Sequence, residues 1–236
     1  MNSNFEIKIN RSIRRNSVAL IVKDNTLYVK APFYISEKTI NNIITIKKKW
    51  ITKKFAEDNI LRGQPIIKYN NGDILLFKGK QYKLNVKEFS SNKVELTNNF
   101  FNVYINESYQ NKVIIKDTIL KWYFYESKYY LNKTITYYKN LMDVSVNDIK
   151  ISEYKSKWGS CNKAKNLTFD WRIIMAPEQV LRYLVVHELS HIRHPNHSLS
   201  FWRNVESFMP SFNIHRKWLS KNGKFLLRYF DLVNLH

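Results

Sequence analysis

The sequence predicts an α+β protein, with a β-rich region carrying one helix over residues 1–108 and a second region over 109–236 built around a metal-motif helix. Three observations predict this. Up to about residue 105, short apolar–polar alternations are separated by Asn, Gly and Asp turn signals, the pattern of half-buried strands. From Asp117 to Met142 the apolar spacing becomes helical. A third run, opened by Pro177 and stopped by Pro195, is again helical and contains His187-Glu188-Leu189-Ser190-His191.

Taken in order, Val18–Val22 and Thr26–Lys30 flank Asp24-Asn25 as a tight hairpin. Ser36 stands where it can cap a helix with the stripe Ile40, Ile43, Ile44, Trp50, Ile51 and Phe55. The turn Asn70-Asn71-Gly72-Asp73 leads into strands at Ile74–Phe77 and Tyr82–Val86, and Val94–Leu96 and Phe101–Ile105 continue the pattern. The change of period near Asn106-Glu107-Ser108 marks the expected boundary. The long helix that follows should bury Leu120, Phe124, Leu131, Ile135, Tyr138 and Met142. Ile149–Tyr154 and Leu167–Trp171 read as a hairpin around the loop Lys157–Asn162, with the second strand either covered or an edge able to receive an extended peptide. The motif helix should run from Pro177 to about Arg193. Two helices should follow, Ser198–Phe208 stopped at Pro210, and Ile214 to about Lys221 closed by Asn222-Gly223.

Composition limits the function classes. Lys and Arg number 39 against 19 acidic residues, a formal charge of +20. That balance suits a nucleic-acid or other polyanion partner, but a chain rich in Lys, Asn and Ile also acquires it through base composition, with the lysines on solvated helix faces. Cys161 is the sole cysteine, which excludes an internal disulfide and a cysteine-based metal cluster. The first residues lack the apolar block of a signal peptide, and no stretch approaches a membrane span, so the cytoplasm is the expected location and no membrane partner is expected.

The chemistry concentrates in one helix. Four residues amount to about 400° of rotation and about 6 Å of rise, so His187 and His191 project from one face and can share an ion. Glu188 is offset by about 100°, too far round to ligate with them but placed to serve as general base toward water. The apolar residues before the motif, Leu184-Val185-Val186, imply a buried helix, and buried imidazoles need partners. A catalytic zinc site takes a third protein ligand and keeps one position open. His197, beyond the break at Pro195, is the favoured third ligand. Glu206 on the next helix and His194 are the rivals.

Several segments together resemble the YgjP-like metal-dependent hydrolases, a family related to the WLM and SprT-type zinc metallopeptidases. They are Tyr154-Lys155-Ser156-Lys157-Trp158-Gly159-Ser160-Cys161, Leu167-Thr168-Phe169-Asp170-Trp171-Arg172, the HELSH helix, and Asn196-His197-Ser198 with Phe201-Trp202. The hairpin through Ala31-Pro32, Lys49-Trp50-Ile51 and Gly79-Lys80-Gln81-Tyr82 extend the resemblance over nearly the whole chain. It implies a zincin-like core in which a mixed sheet packs on the motif helix, one zinc ion on His187, His191 and His197, and Glu188 as catalyst. Asp170 departs from the Asn expected before the Trp-Arg pair. Gly159 is read either beside the cleft or in a tight hairpin, Cys161 as a small buried side chain and Tyr183 as core packing; the sequence singles out no transition-state stabiliser among His194, Arg172 and Tyr183.

Three functions are open to such a chain. The first is zinc-dependent hydrolysis, with a peptide or protein as substrate. The second is hydrolysis of a nucleotide or other phosphoanhydride, against which the missing Gly-rich phosphate loop counts. The third is a DNA-associated module with an auxiliary metal site.

Overall fold

The computed structural model describes residues 5–23, 25–62, 67–106 and 111–230, with side chains 57–62 left aside. Two compact units divide at Pro65 and Ile66. In the first, β1 (Glu6–Ser12), β2 (Ala19–Lys23) and β3 (Thr26–Pro32) form a sheet in the order β1-β3-β2, with β1 parallel and β2 antiparallel to β3. The β2–β3 hairpin is the one the sequence predicts, with Asn25 at a positive φ of 56° in its turn; Asp24 lies outside the described residues. Ser36 caps the next helix by accepting from the Thr39 amide. That predicted single helix is two, α1 (Glu37–Ile46) and α2 (Lys48–Arg62), separated at Lys47. The break brings Ile40 from α1 and Ile51 and Phe55 from α2 onto Leu27, Val29 and Ala31 of β3. Trp50 is left exposed.

The second unit opens with β4 (Ile74–Phe77), β5 (Lys80–Glu88), β6 (Lys93–Leu96) and β7 (Phe100–Ile105), ordered β4-β5-β7-β6, with β5 and β7 parallel. Its buried face packs on α3 (Lys112–Leu141), through Phe101 against Tyr123 and a 2.6 Å hydrogen bond from the Tyr123 hydroxyl to the Leu76 carbonyl. The change of period near residue 106 therefore falls inside this unit rather than between units. Periodicity reports what an element is and not what it packs against, and β4–β7 bury their apolar face on the helical half.

Along α3 the buried row is Ile115, Ile119, Tyr123, Ser127, Leu131 and Ile135. The expected Leu120 is only half-buried, and Phe124 is exposed. With aromatic residues on several faces, spacing alone does not select the inner one. After α3 come β8 (Asp148–Ser152), β9 (Gly159–Cys161) and β10 (Asn166–Asp170), ordered β8-β10-β9. The predicted hairpin is corrected here: β8 and β10 run parallel, and the loop expected at 157–162 supplies β9, which pairs antiparallel with β10. β10 is thus the central strand and β9 an edge.

A 3₁₀ turn (Trp171–Met175) leads to α4 (Glu178–Ser190), α5 (Leu199–Phe208) and α6 (Phe212–Arg228). The β4–β5 turn anchors the start of α4. The Lys78 and Gly79 amides donate to the Ile174 and Met175 carbonyls, and Gly79, at φ 77°, lies so near Pro177 that a Cβ would come within 2.9 Å of its ring. α4 ends at Ser190, short of Arg193, because the next amides tighten into three-residue turns (His191 to Glu188, Ile192 to Leu189, Arg193 to Ser190). α6 runs through Gly223 instead of stopping there. A Cβ on Gly223 would stand 2.7 Å from the Trp158 indole nitrogen, so this glycine admits a side chain rather than ending a helix.

Asp170, the departure from the expected Asn, is fully buried and bonded to Arg172, itself only 3% exposed. Its carboxylate also accepts from the Tyr154 and Arg172 amides, while the guanidinium donates to the carbonyls of Tyr154 and Leu227, tying β10 to α6. Asp170→Asn removes the buried counter-charge of Arg172 and leaves it the exposed Glu153 carboxylate, 3.5 Å from the guanidinium. We expect it to lower stability by about 3 kcal/mol in urea unfolding; an unchanged midpoint would contradict this account.

Candidate metal centre

His187 lies on the last turn of α4 and His191 is the C-cap residue that follows it; the chain then passes Pro195 and returns His197 ahead of α5. Ser198 caps α5 by accepting from the Phe201 amide, which fixes the backbone directly after His197. Asn204 of α5 donates to the Ser190 hydroxyl at 3.0 Å, and Ser190 in turn donates to the Val186 carbonyl at 2.7 Å, joining the two helices behind the histidines. One ligand atom from each of His187, His191 and His197 lies within 4.8 Å of the others. The Nε2 atoms of His187 and His197 are 3.1 Å apart.

The surroundings set how each ring faces. His191 Nδ1 sits 3.1 Å from the His194 carbonyl, an acceptor, so that nitrogen carries the proton and Nε2 keeps its lone pair. The Tyr183 hydroxyl stands 3.5 Å from His187 Nδ1, leaving His187 Nε2 toward the cluster. Beneath all three rings is Phe201, fully buried, with centroids 5.0, 4.5 and 4.8 Å from His187, His191 and His197. Trp202 stacks on His197 at 5.6 Å and carries the Arg216 guanidinium at 4.3 Å from its ring.

Burial, and then the two neighbouring imidazoles, lower the His187 pKa to about 3; burial lowers that of His191. Both rings are therefore neutral at pH 7, the form that ligates a metal. Glu188 is 5% exposed, stands outside the three-histidine group, and packs its carboxylate against Gly159 of β9. Burial pushes its carboxyl up to about 8, opposed by the charge of Lys157. A bound dication would act against that rise, since it is the largest charge in such a site. A Cβ on Gly159 would come within 2.6 Å of Glu188 Oε1 and 2.8 Å of its Cγ and Cδ. The glycine is thus what lets the carboxylate lie flat against β9.

Other expected residues fall differently. Glu206 is exposed and outside the cluster, and His194 enters it through its backbone carbonyl rather than its ring. Arg172 is held in its buried pair with Asp170 and is not a stabiliser at this site. Cys161 is half-buried, its thiol pushed up by burial and by Glu188. Sequence reasoning marked Phe201 and Trp202 only as family residues. Their role under the imidazoles had a readable signal in the four-residue spacing from His197 to Phe201, but no pattern says which side chains a ring will touch.

A mixed α+β fold with three converging imidazoles and a buried carboxylate has the donor set of a metal-dependent hydrolase. The chain belongs to the YgjP-like family, whose metallopeptidase-domain model matches residues 16–222. No curated protein matches it. Among solved structures, the crystal structure of the metallopeptidase zymogen of Pyrococcus abyssi abylysin aligns with 40% of this chain and 96% of its own, at 22% identity and a TM-score of 0.37. No described helix is long and apolar enough to cross a membrane.

Gly159→Ala tests the packing of Glu188. The added methyl displaces the carboxylate, so hydrolysis should fall by about 100-fold while metal content, measured by atomic emission, is unchanged. Full activity in this variant would show that the Glu188–Gly159 contact does not matter.

Proposed function

We propose that this protein is a zinc peptidase, with His187, His191 and His197 holding one zinc ion and Glu188 acting as general base and then general acid. The observation that supports it most is the convergence of three imidazole nitrogens within 4.8 Å, with a buried carboxylate next in the chain to His187 that is not one of the group. Zinc held by His187, His191 and His197 would keep a position for water, lower that water's pKa to about 7 and polarise a carbonyl. Glu188 takes the water's proton and returns it to the leaving amine. Gly159, Ser160 and Cys161 of β9 form a sheet edge on the Glu188 side, where an extended peptide can add as a further strand and bring its carbonyl beside the base. That edge favours a peptide over a phosphoanhydride. A purely auxiliary site would take four protein ligands, and the cluster among the described residues has three.

The test pairs metal analysis with two substrates. The wild type should carry about one zinc per chain, cleave an unstructured protein and leave nucleoside triphosphates intact. Glu188→Gln should keep the zinc and lose about 10²- to 10⁴-fold in cleavage rate. Undiminished cleavage by the glutamine variant would remove Glu188 from the mechanism, and turnover of triphosphates alone would replace the peptidase reading.

A further inference from the structure

Opposite its buried row, α3 carries a second row at four-residue spacing: Lys121, Tyr125, Tyr129, Lys133 and Tyr137, all exposed. Tyr125, Tyr129 and Tyr137 are 67%, 53% and 61% exposed, unusual for rings of this size standing together. Successive members are separated by about 6 Å of rise and the row spans about 24 Å. Lys128 is exposed one residue before Tyr129. At its carboxyl-terminal half the row borders a cavity of about 550 Å³, lined by Tyr130, Lys133 and Tyr137 of α3 and by Lys78, Glu178 and Arg182.

The charges there are predominantly positive. Glu178 bonds both Lys78, at 2.9 Å, and Arg182, so this trio with Lys133 retains two positive charges. Asp117 bonds Lys121 at 2.7 Å, and Glu126, half-buried, is the other acid on this part of α3. The Lys78 ammonium lies 4.1 Å above the Tyr130 ring, and Tyr129 and Tyr137 each meet the following tyrosine edge-on, leaving ring surface toward solvent.

We infer that this face of α3, with the cavity beside it, binds single-stranded nucleic acid. Solvent-facing tyrosines supply planes on which unpaired bases stack, and the interleaved lysines meet phosphates; this is the combination sequence-tolerant single-strand binders use. The formal charge of +20 favours the approach of any polyanion, but charge alone gives no use for three exposed rings along one helix. An acidic peptide would engage the lysines and leave the tyrosines idle. A duplex keeps its bases stacked and would do the same. The surface is separate from the histidine cluster, so the inference does not depend on the peptidase reading.

Fluorescence anisotropy of a labelled oligothymidylate on the full chain tests it. Binding should weaken with salt at a logarithmic slope of about −2 or steeper, from about 0.7 per phosphate neutralised. Tyr129→Ala/Tyr137→Ala should bind at least about 10-fold more weakly with the slope kept, and Tyr129→Phe/Tyr137→Phe should bind as the wild type does. Lys128→Gln/Lys133→Gln should make the slope shallower by about 1.4. All substitutions are at exposed positions, and circular dichroism checks that the variants fold. Four results would each overturn the inference: no binding at low salt, wild-type affinity in the alanine pair, loss in the phenylalanine pair equal to that in the alanine pair, or polyglutamate or duplex competing as well as the single strand.

Discussion

Three imidazole nitrogens occupy a volume fit for a single cation, and much of the neighbouring packing serves to hold them there. Two come from the last turn of α4 and its C-cap and need little beyond the helix. The third must be returned by the chain after Pro195, and its position depends on the Ser198 cap, the Asn204–Ser190–Val186 chain of hydrogen bonds and the Phe201 ring under all three. Like cations cannot be crowded into this space, and burial already keeps His187 neutral. His187 and His191 are in their ligating form before any metal arrives, which lowers the reorganisation that binding requires.

The carboxylate shows the same logic about 100° round the helix. Glu188 is close to fully buried, a costly position for a charge. It is reached because Gly159 leaves room for it and because β9 comes alongside α4. β9 is in turn set by β10, and β10 by the Asp170–Arg172 pair, which reaches across to the Leu227 carbonyl of α6. The glycine at 223 lets Trp158, the residue just before β9, pack against α6. The segment Tyr154–Cys161 is thus a support for the base as much as a strand.

What the sequence disclosed follows from the range over which its signals act. The spacing of His187, Glu188 and His191 is local and implies one shared face and one offset carboxylate, which is what α4 presents. The Ser36 and Ser198 caps and the β2–β3 turn are equally local. Pairing partners are not. Ile149–Tyr154 and Leu167–Trp171 carry strand patterns that fit a hairpin, and nothing in them reveals that Gly159–Cys161 would insert and leave β8 and β10 parallel. Gly223 reads as a helix stop until the Trp158 indole is seen against it. The unit boundary at residue 65 was hidden for the same reason, since the pattern change at 106 marks a switch of element type within one packed body.

X-ray absorption at the zinc edge of the metal-loaded protein tests the central claim most directly. Three imidazoles and one further light-atom ligand are expected, with one imidazole lost in His197→Ala. A spectrum with a sulfur ligand, with a fourth imidazole, or unchanged by that substitution would contradict the account.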